Sequence, residues 1–258
     1  MAGPNGHAPF RLDGKVALVT GSSTGLGKAM AMSLGAAGAK VAMNYMNNQA
    51  RGEKAFDDFK AKGHAGALFR GSAVDPADVK RMVNEIEQQL GPIDILVINA
   101  TPEQPLKPIE EYDWAFYQSM LDFFVKSPFL LVRETLAGMK HRRWGRVINI
   151  GSEVFQRGVG NFTAYAAAKG GQNGFTRSLA TELAPWNITV NMVSPGWIPV
   201  ERHENDPQAE KDMYLAGLPS KRWGVPKEVG DTVVFLASEE ASYVSGQNIC
   251  VNGAHTVA

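Results

Sequence analysis

Lys15-Val16-Ala17-Leu18-Val19-Thr20-Gly21-Ser22-Ser23-Thr24-Gly25-Leu26-Gly27 is the stretch that decides the fold. A short apolar run ends at Thr20, glycines stand at 21, 25 and 27, and a helical pattern opens at Gly25. This reads as a strand, a tight turn and a helix in immediate succession. Gly21 suits the turn, while Gly25 and Gly27 let backbone come close to a ligand and to the sheet.

Outward from that junction the same unit repeats. Runs suited to strands lie at Val16 to Thr20, Val41 to Tyr45, Ala67 to Arg70, Ile93 to Ile98, Arg146 to Ile150, Thr189 to Val193 and Asn248 to Val251. Helical periodicity fills the intervals at Gly25 to Ala37, Gln49 to Lys62, Asp75 to Leu90, Tyr112 to Lys140, Phe162 to Leu183 and Pro226 to Ala237. Gly38 closes the first helix, Asp75-Pro76 opens the third and Gly91-Pro92 ends it, each the punctuation expected there. Alternation of this kind predicts an α/β fold: a single-domain, doubly wound parallel sheet of seven strands in the Rossmann manner, with helices on both faces.

Residues 1–11 are rich in Gly, Pro and Asn and read as a flexible tail, leaving 12–258 for the domain. No apolar leader and no run of membrane-spanning length is present, and Cys250 is the lone cysteine. These features suggest a cytoplasmic protein without a disulfide framework. Lys plus Arg and Asp plus Glu number 26 each, which argues against nucleic acid or an acidic membrane surface as partner. His64 and His203 have no metal-ligand spacing to other side chains, and no metal is expected.

A glycine turn between a first strand and a first helix offers backbone N–H groups and a helix N-terminus to a pyrophosphate. Gly21, Ser23, Thr24, Gly25, Leu26 and Gly27 are therefore candidate dinucleotide contacts. The second strand ends Asn44-Tyr45-Met46-Asn47-Asn48, without the carboxylate that would receive the ribose 2′-hydroxyl of NAD. That favours NADP(H) over NAD(H), with Arg51 or Lys28 as the basic group. Thr101 to Glu111 and Pro195 to Trp223 follow strand ends and are rich in Pro and polar residues; they read as pocket walls.

Tyr165 and Lys169 lie four residues apart in a helical stretch, so they share a face. Bringing a tyrosine from pH ~10 to neutrality needs roughly 4 kcal/mol, and an ammonium at ~4 Å in an effective dielectric of ~20 supplies that much. Ser152 stands just beyond the fifth strand.

With Thr20 to Gly27, Asn99-Ala100, Ser152, Tyr165, Lys169 and Pro195-Gly196 in this order, the chain resembles the short-chain dehydrogenase/reductase family from Leu12 to Val257. The resemblance implies that Tyr165 exchanges the proton, Lys169 lowers its pKa and holds the nicotinamide ribose, and Ser152 orients the substrate oxygen. It places Asn44, Ser72, Asn99, Ala100, Pro195, Gly196 and Ile198 near the cofactor and suggests a homotetramer, with Tyr112 to Lys140 and Phe162 to Leu183 as interface candidates. The expected reaction is hydride transfer between a nicotinamide and a carbonyl or alcohol. The resemblance is greatest to 3-oxoacyl reductases, followed by sugar, sugar-acid and polyol dehydrogenases.

The sequence departs from the family at several points. Phe124 stands where the resemblance implies a fourth catalytic residue, an asparagine; Thr101 replaces a glycine, Ser72 an aspartate and Val200 a threonine. A phenyl ring neither donates nor accepts the hydrogen bonds that an asparagine gives a water, which keeps open the alternative of a nucleotide-binding regulatory protein. Phe155, Gln156 and Arg157 after Ser152, with Trp197, Arg202 and His203 in the loop after the sixth strand, are candidate substrate contacts along with Phe124. The basic ones suit a carboxylate or hydroxyls.

Overall fold

The computed structural model describes residues 8–257. Its elements run β1 (Val16–Val19), α1 (Gly25–Ala36), β2 (Lys40–Tyr45), α2 (Gln49–Ala61), β3 (Gly66–Arg70), α3 (Pro76–Leu90), β4 (Ile95–Ile98), α4 (Trp114–Leu121), α5 (Ser127–Arg142), β5 (Gly145–Ile150), α6 (Val154–Arg157), α7 (Thr163–Leu183), β6 (Ile188–Pro195), α8 (Gln208–Gly217), α9 (Pro226–Ala237) and β7 (Asn248–Val251). All seven strands pair in parallel in one sheet of order β3-β2-β1-β4-β5-β6-β7. The order reverses between β1 and β4, the crevice where open α/β sheets bind ligands.

Strand β1 shows why helices cover both faces. Its residues alternate sides: Ala17 and Val19 join one core with Met30 and Leu34 of α1 and Val229 and Val233 of α9. Val16 and Leu18 join the other with Val79 and Ile86 of α3, Leu131 of α5 and Leu179 of α7. A period of two along a fully buried strand leaves no polar face. Asp75 caps α3, its carboxylate accepting from Asp78 N at 2.8 Å, with Pro76 as the first helical residue.

Several expectations need correction. Tyr112 to Lys140 is helical from Trp114 onward but not uniformly α: α4 and α5 are joined without a gap by a π-helical turn, Asp122–Lys126, with Pro128 at the start of α5. Proline has no N–H to give the preceding turn, and π turns absorb the mismatch. The wall from Pro195 to Trp223 contains a 3-10 turn, Glu201–His203, and α8. Ile93 and Asp94 precede β4 rather than belonging to it, and the Asp94 carboxylate accepts from Val16 N at 3.0 Å. Of the tail read at 1–11, residues 1–7 lie outside the described residues. Phe10 rests edge-on against Phe235 at 6.2 Å, and its N–H donates to Glu240.

Candidate active site

The glycine turn is tied to its neighbours before any ligand is considered. The Thr20 hydroxyl accepts from Asn99 N and Ala100 N at 2.9 and 3.1 Å, and the Asn99 amide donates to the Thr20 and Gly21 carbonyls. Gly21 and Gly25 adopt φ of +63° and +55°, a region that favours glycine. A Cβ on Gly27 would run into the Gly21 carbonyl and the Asn99 amide. Ser23 is buried in this turn, with Thr24 and Leu26 half-buried beside it.

Asn44, expected near the cofactor, braces the glycine turn. Its Oδ1 accepts from Gly21 N at 3.0 Å and its Nδ2 donates to the Gly71 carbonyl at 3.0 Å, so the amide joins the turn to the end of β3. Ser72 likewise faces inward: its N–H donates to Asp78 and its hydroxyl accepts from Val74 N. Lys28 is ion-paired with Asp58 at 2.7 Å, while Arg51 is exposed.

The sequence reading missed another basic group, Arg70. Parallel register sets Tyr45 opposite Arg70, and Arg70 Nε donates to the Met46 carbonyl at 3.3 Å. A guanidinium therefore lies beside the end of β2. The signal was strand register rather than proximity in sequence.

At the start of α1 an anion is already in place. Glu201 Oε2 accepts from Gly25 N at 3.0 Å. Burial works against this carboxylate, but hydrogen bonds from its own and the Gly25 backbone, the Thr24 hydroxyl and the charge of Lys28 outweigh it and hold the pKa below the usual range. The helix end accepts a carboxylate where a pyrophosphate would bind, so these residues fit a dinucleotide. Glu201→Gln is expected to tighten dinucleotide binding roughly fivefold, because a neutral amide competes less well for the helix end. Fluorescence titration reads this, and an unchanged Kd would mean the carboxylate leaves at no cost.

Ser152, Tyr165 and Lys169 come together, all buried. Lys169, 3% exposed, donates from Nζ to the Ile150 carbonyl at 2.5 Å and to Gln172 Oε1 at 3.0 Å. The ammonium also stands 3.7 Å above the Phe124 ring and 5.6 Å from the Tyr165 ring centre. Phe124, expected among substrate contacts, instead packs edge-on against Tyr165 at 5.3 Å and lies beneath Lys169.

Burial raises the Tyr165 pKa, against the Ser152 hydroxyl and the charge of Arg202, which lower it. Burial, with Arg202, pushes Lys169 well below the ordinary lysine value. Desolvation penalises both charged forms, so burial opposes the effect of the Lys169 ammonium on the phenol. Arg202 is the external cation bearing on both groups.

The loop after β6 rests on a buried carboxylate. Glu153, 3% exposed, accepts from the Tyr214 hydroxyl, Arg157, Asn252, His255 and the Thr256 hydroxyl within 2.9 to 3.1 Å. Arg157, expected at the substrate, is thus turned toward Glu153; Phe155 is half-buried on α6. Tyr214 also accepts from Trp197 N at 2.8 Å, and the Trp197 ring meets His203, Tyr214 and Trp223 edge-on.

Pro195 ends β6 and its carbonyl accepts from Glu153 N; Gly196 N donates to the Val251 carbonyl. A Cβ on Gly196 would press on the Tyr214 hydroxyl at 2.7 Å, and Ile198 is buried. Burial, with the charge of Arg202, lowers the His203 pKa from its ordinary value. A cavity of about 800 Å³ runs between the α1 end and this loop, walled by Gly25, Lys28, Val200, Glu201, His203 and Trp223. Ser152, Tyr165 and Lys169 are not among its walls.

The profile of the family described as enoyl-(acyl carrier protein) reductase matches residues 21–256. The chain belongs to the short-chain dehydrogenase/reductase family. As a short-chain dehydrogenase/reductase it is an oxidoreductase that moves a hydride between a nicotinamide dinucleotide and a carbonyl or alcohol. It is 37% identical over 246 residues to the 3-oxoacyl-(acyl-carrier-protein) reductase FabG of Escherichia coli (strain K12), covering 95% of this chain and 98% of that one. It is 34% identical to the 2-dehydro-3-deoxy-D-gluconate 5-dehydrogenase of Formosa agariphila, covering 95% and 93%. The gluconate 5-dehydrogenase of Burkholderia cenocepacia J2315, solved with NADP and tartrate, superposes with a TM-score of 0.89 at 30% identity over 96% of this chain and 98% of that one. Among the described residues no helix is long and apolar enough to cross a membrane, and no group of three or more His, Cys, Asp or Glu is placed to hold a metal ion.

Proposed function

We propose that this chain uses NADP(H) to interconvert a carbonyl and an alcohol on a small substrate bearing a carboxylate, of the sugar-acid class. The carrying observation is Arg202, whose charge bears on both Tyr165 and Lys169. An exposed guanidinium whose charge reaches the proton donor is suited to anchor a carboxylate on the reacting molecule. The kinship with two sugar-acid dehydrogenases points the same way. Reduction of a 3-oxoacyl thioester is the second reading, favoured by the aromatic wall of Trp197, Tyr214 and Trp223.

Gly25 and the α1 end would hold the pyrophosphate, Arg70 and Arg51 a 2′-phosphate, and Lys169 the nicotinamide ribose. When bound, the dinucleotide supplies or accepts the hydride. Ser152 positions the substrate oxygen, and Tyr165 delivers the proton that converts it to a hydroxyl. A phenol whose pKa is raised by burial starts the reduction protonated, the form a general acid needs. By likeness to its family the enzyme is cytoplasmic and a homotetramer, with Trp114 on α4 and Phe129 on α5 exposed to form contacts.

NADPH oxidation, followed beside NADH, with keto-sugar acids and 3-oxoacyl thioesters tests this. Arg202→Gln is expected to lower kcat/KM for the acid about 10- to 100-fold and to leave the thioester much less affected. Equal losses on both substrates would sink the carboxylate anchor. Dinucleotide binding without turnover of any carbonyl would move the protein to the regulatory class.

A further inference from the structure

An ammonium has three N–H groups, and inside a protein each needs a partner. For Lys169 the partners come from three directions: the Ile150 carbonyl at the end of β5, Gln172 Oε1 one turn along α7, and the face of Phe124 from the π-helical turn. Gln172 is 1% exposed and Phe124 2%, so water competes with neither. The turn of α7 carrying Gln172 is fixed to the sheet, since Thr176 donates to the Gln172 carbonyl and accepts from Asn149 on β5.

The π turn and the glutamine belong together. A continuous α-helix from α4 into α5 would present its residues at another angle, whereas the extra residue of a π turn lets Phe124 reach Lys169. The ring gives no hydrogen bond but attracts a cation through its face. The remaining polar contact then has to come from elsewhere, and residue 172, three positions beyond Lys169, shares its helix face.

We propose that Gln172 is a positioning residue for Lys169: its amide oxygen, together with the Phe124 ring, keeps the lysine a charged, dry ammonium beside Tyr165. The ionisable groups bearing on Lys169 are Tyr165 from its own helix and Arg202 from the loop after β6. The sides formed by β5 and the α4–α5 junction contribute only a carbonyl and a ring. Burial and Arg202 push Lys169 toward the neutral amine, and Gln172 and Phe124 oppose that push. The proposal rests on the oxidoreductase reading only for its kinetic readout.

The test is a titration of Lys169 in the full-length protein without dinucleotide, read from the lysine 13Cε resonance and assigned with Lys169→Arg. Gln172→Leu keeps the size and removes the acceptor; it is expected to move the midpoint down by about one pH unit. Gln172→Glu puts a charged acceptor in the same place and is expected to move it up. Phe124→Leu removes the ring face and shifts it down by less. In NADPH-dependent reduction the alkaline limb of kcat should follow in the same directions, because rising pH removes the proton from Lys169. Should Gln172→Leu fail to fold, Gln172→Glu and Phe124→Leu still give shifts of opposite sign. Shifts of the same sign, or none, would overturn the proposal whatever the substrate proves to be.

Discussion

Tyr165→Phe is expected to lower turnover about 10³-fold while leaving dinucleotide affinity and thermal unfolding nearly unchanged. Phe124 and Phe162 pack on the Tyr165 ring at 5.3 and 4.9 Å, and a phenylalanine ring keeps both contacts. The hydroxyl alone is lost, and with it the proton donor that the site sets beside Ser152. Steady-state NADPH oxidation checks the first part; titration and calorimetry check the second. Residual turnover within tenfold of the parent would place the proton donor elsewhere.

Lys169→Met should abolish efficient turnover and also change how stability depends on pH. An unfolded lysine titrates near ~10.4, whereas in the fold burial, with Arg202, pushes Lys169 well below its usual value. Between those two pKa values the unfolded chain holds a proton that the folded chain lacks, so stability rises with pH across that window. Below the folded value the cost of burying the ammonium is present in full. Methionine removes that cost, so the variant should gain about 1–3 kcal/mol at low pH and lose the gain as pH climbs toward ten. The Ile150 carbonyl and the Gln172 amide lose their donor, which holds the gain to the lower part of that range. Lys15 is also lowered by burial, but it is common to both proteins and cancels in the difference. Urea melts from pH 6 to 10 decide it: a difference that does not vary with pH would show that Lys169 carries no linked proton.

Strand and helix placement was legible because local chemistry and global order agree in this chain. Val16 to Val19 are buried on both faces, Asp75 caps α3, and the glycines after Thr20 sit where a Cβ would collide or φ is positive. That Ser152, Tyr165 and Lys169 would meet was legible for the same reason, since strand end and helix period fix where their backbones lie. Side-chain direction was not. Asn44 and Arg157 occupy the expected backbone positions, yet each is drawn inward by a partner distant in sequence, Gly71 and Glu153 respectively. The π turn that breaks the α period between α4 and α5 escaped because apolar periodicity runs straight through it. Only the contact between Phe124 and Lys169 reveals what the break accomplishes.

Glu153 has a practical meaning for anyone handling this protein. Three of its donors, Asn252, His255 and Thr256, come from the segment after β7, and the others from the helices flanking the substrate loop. The segment from Asn252 to Thr256 is therefore fastened to Glu153, the residue after Ser152. Replacing Asn252, His255 and Thr256 would strip three hydrogen bonds from a buried carboxylate, so changes made in that segment are felt at the residue beside Ser152.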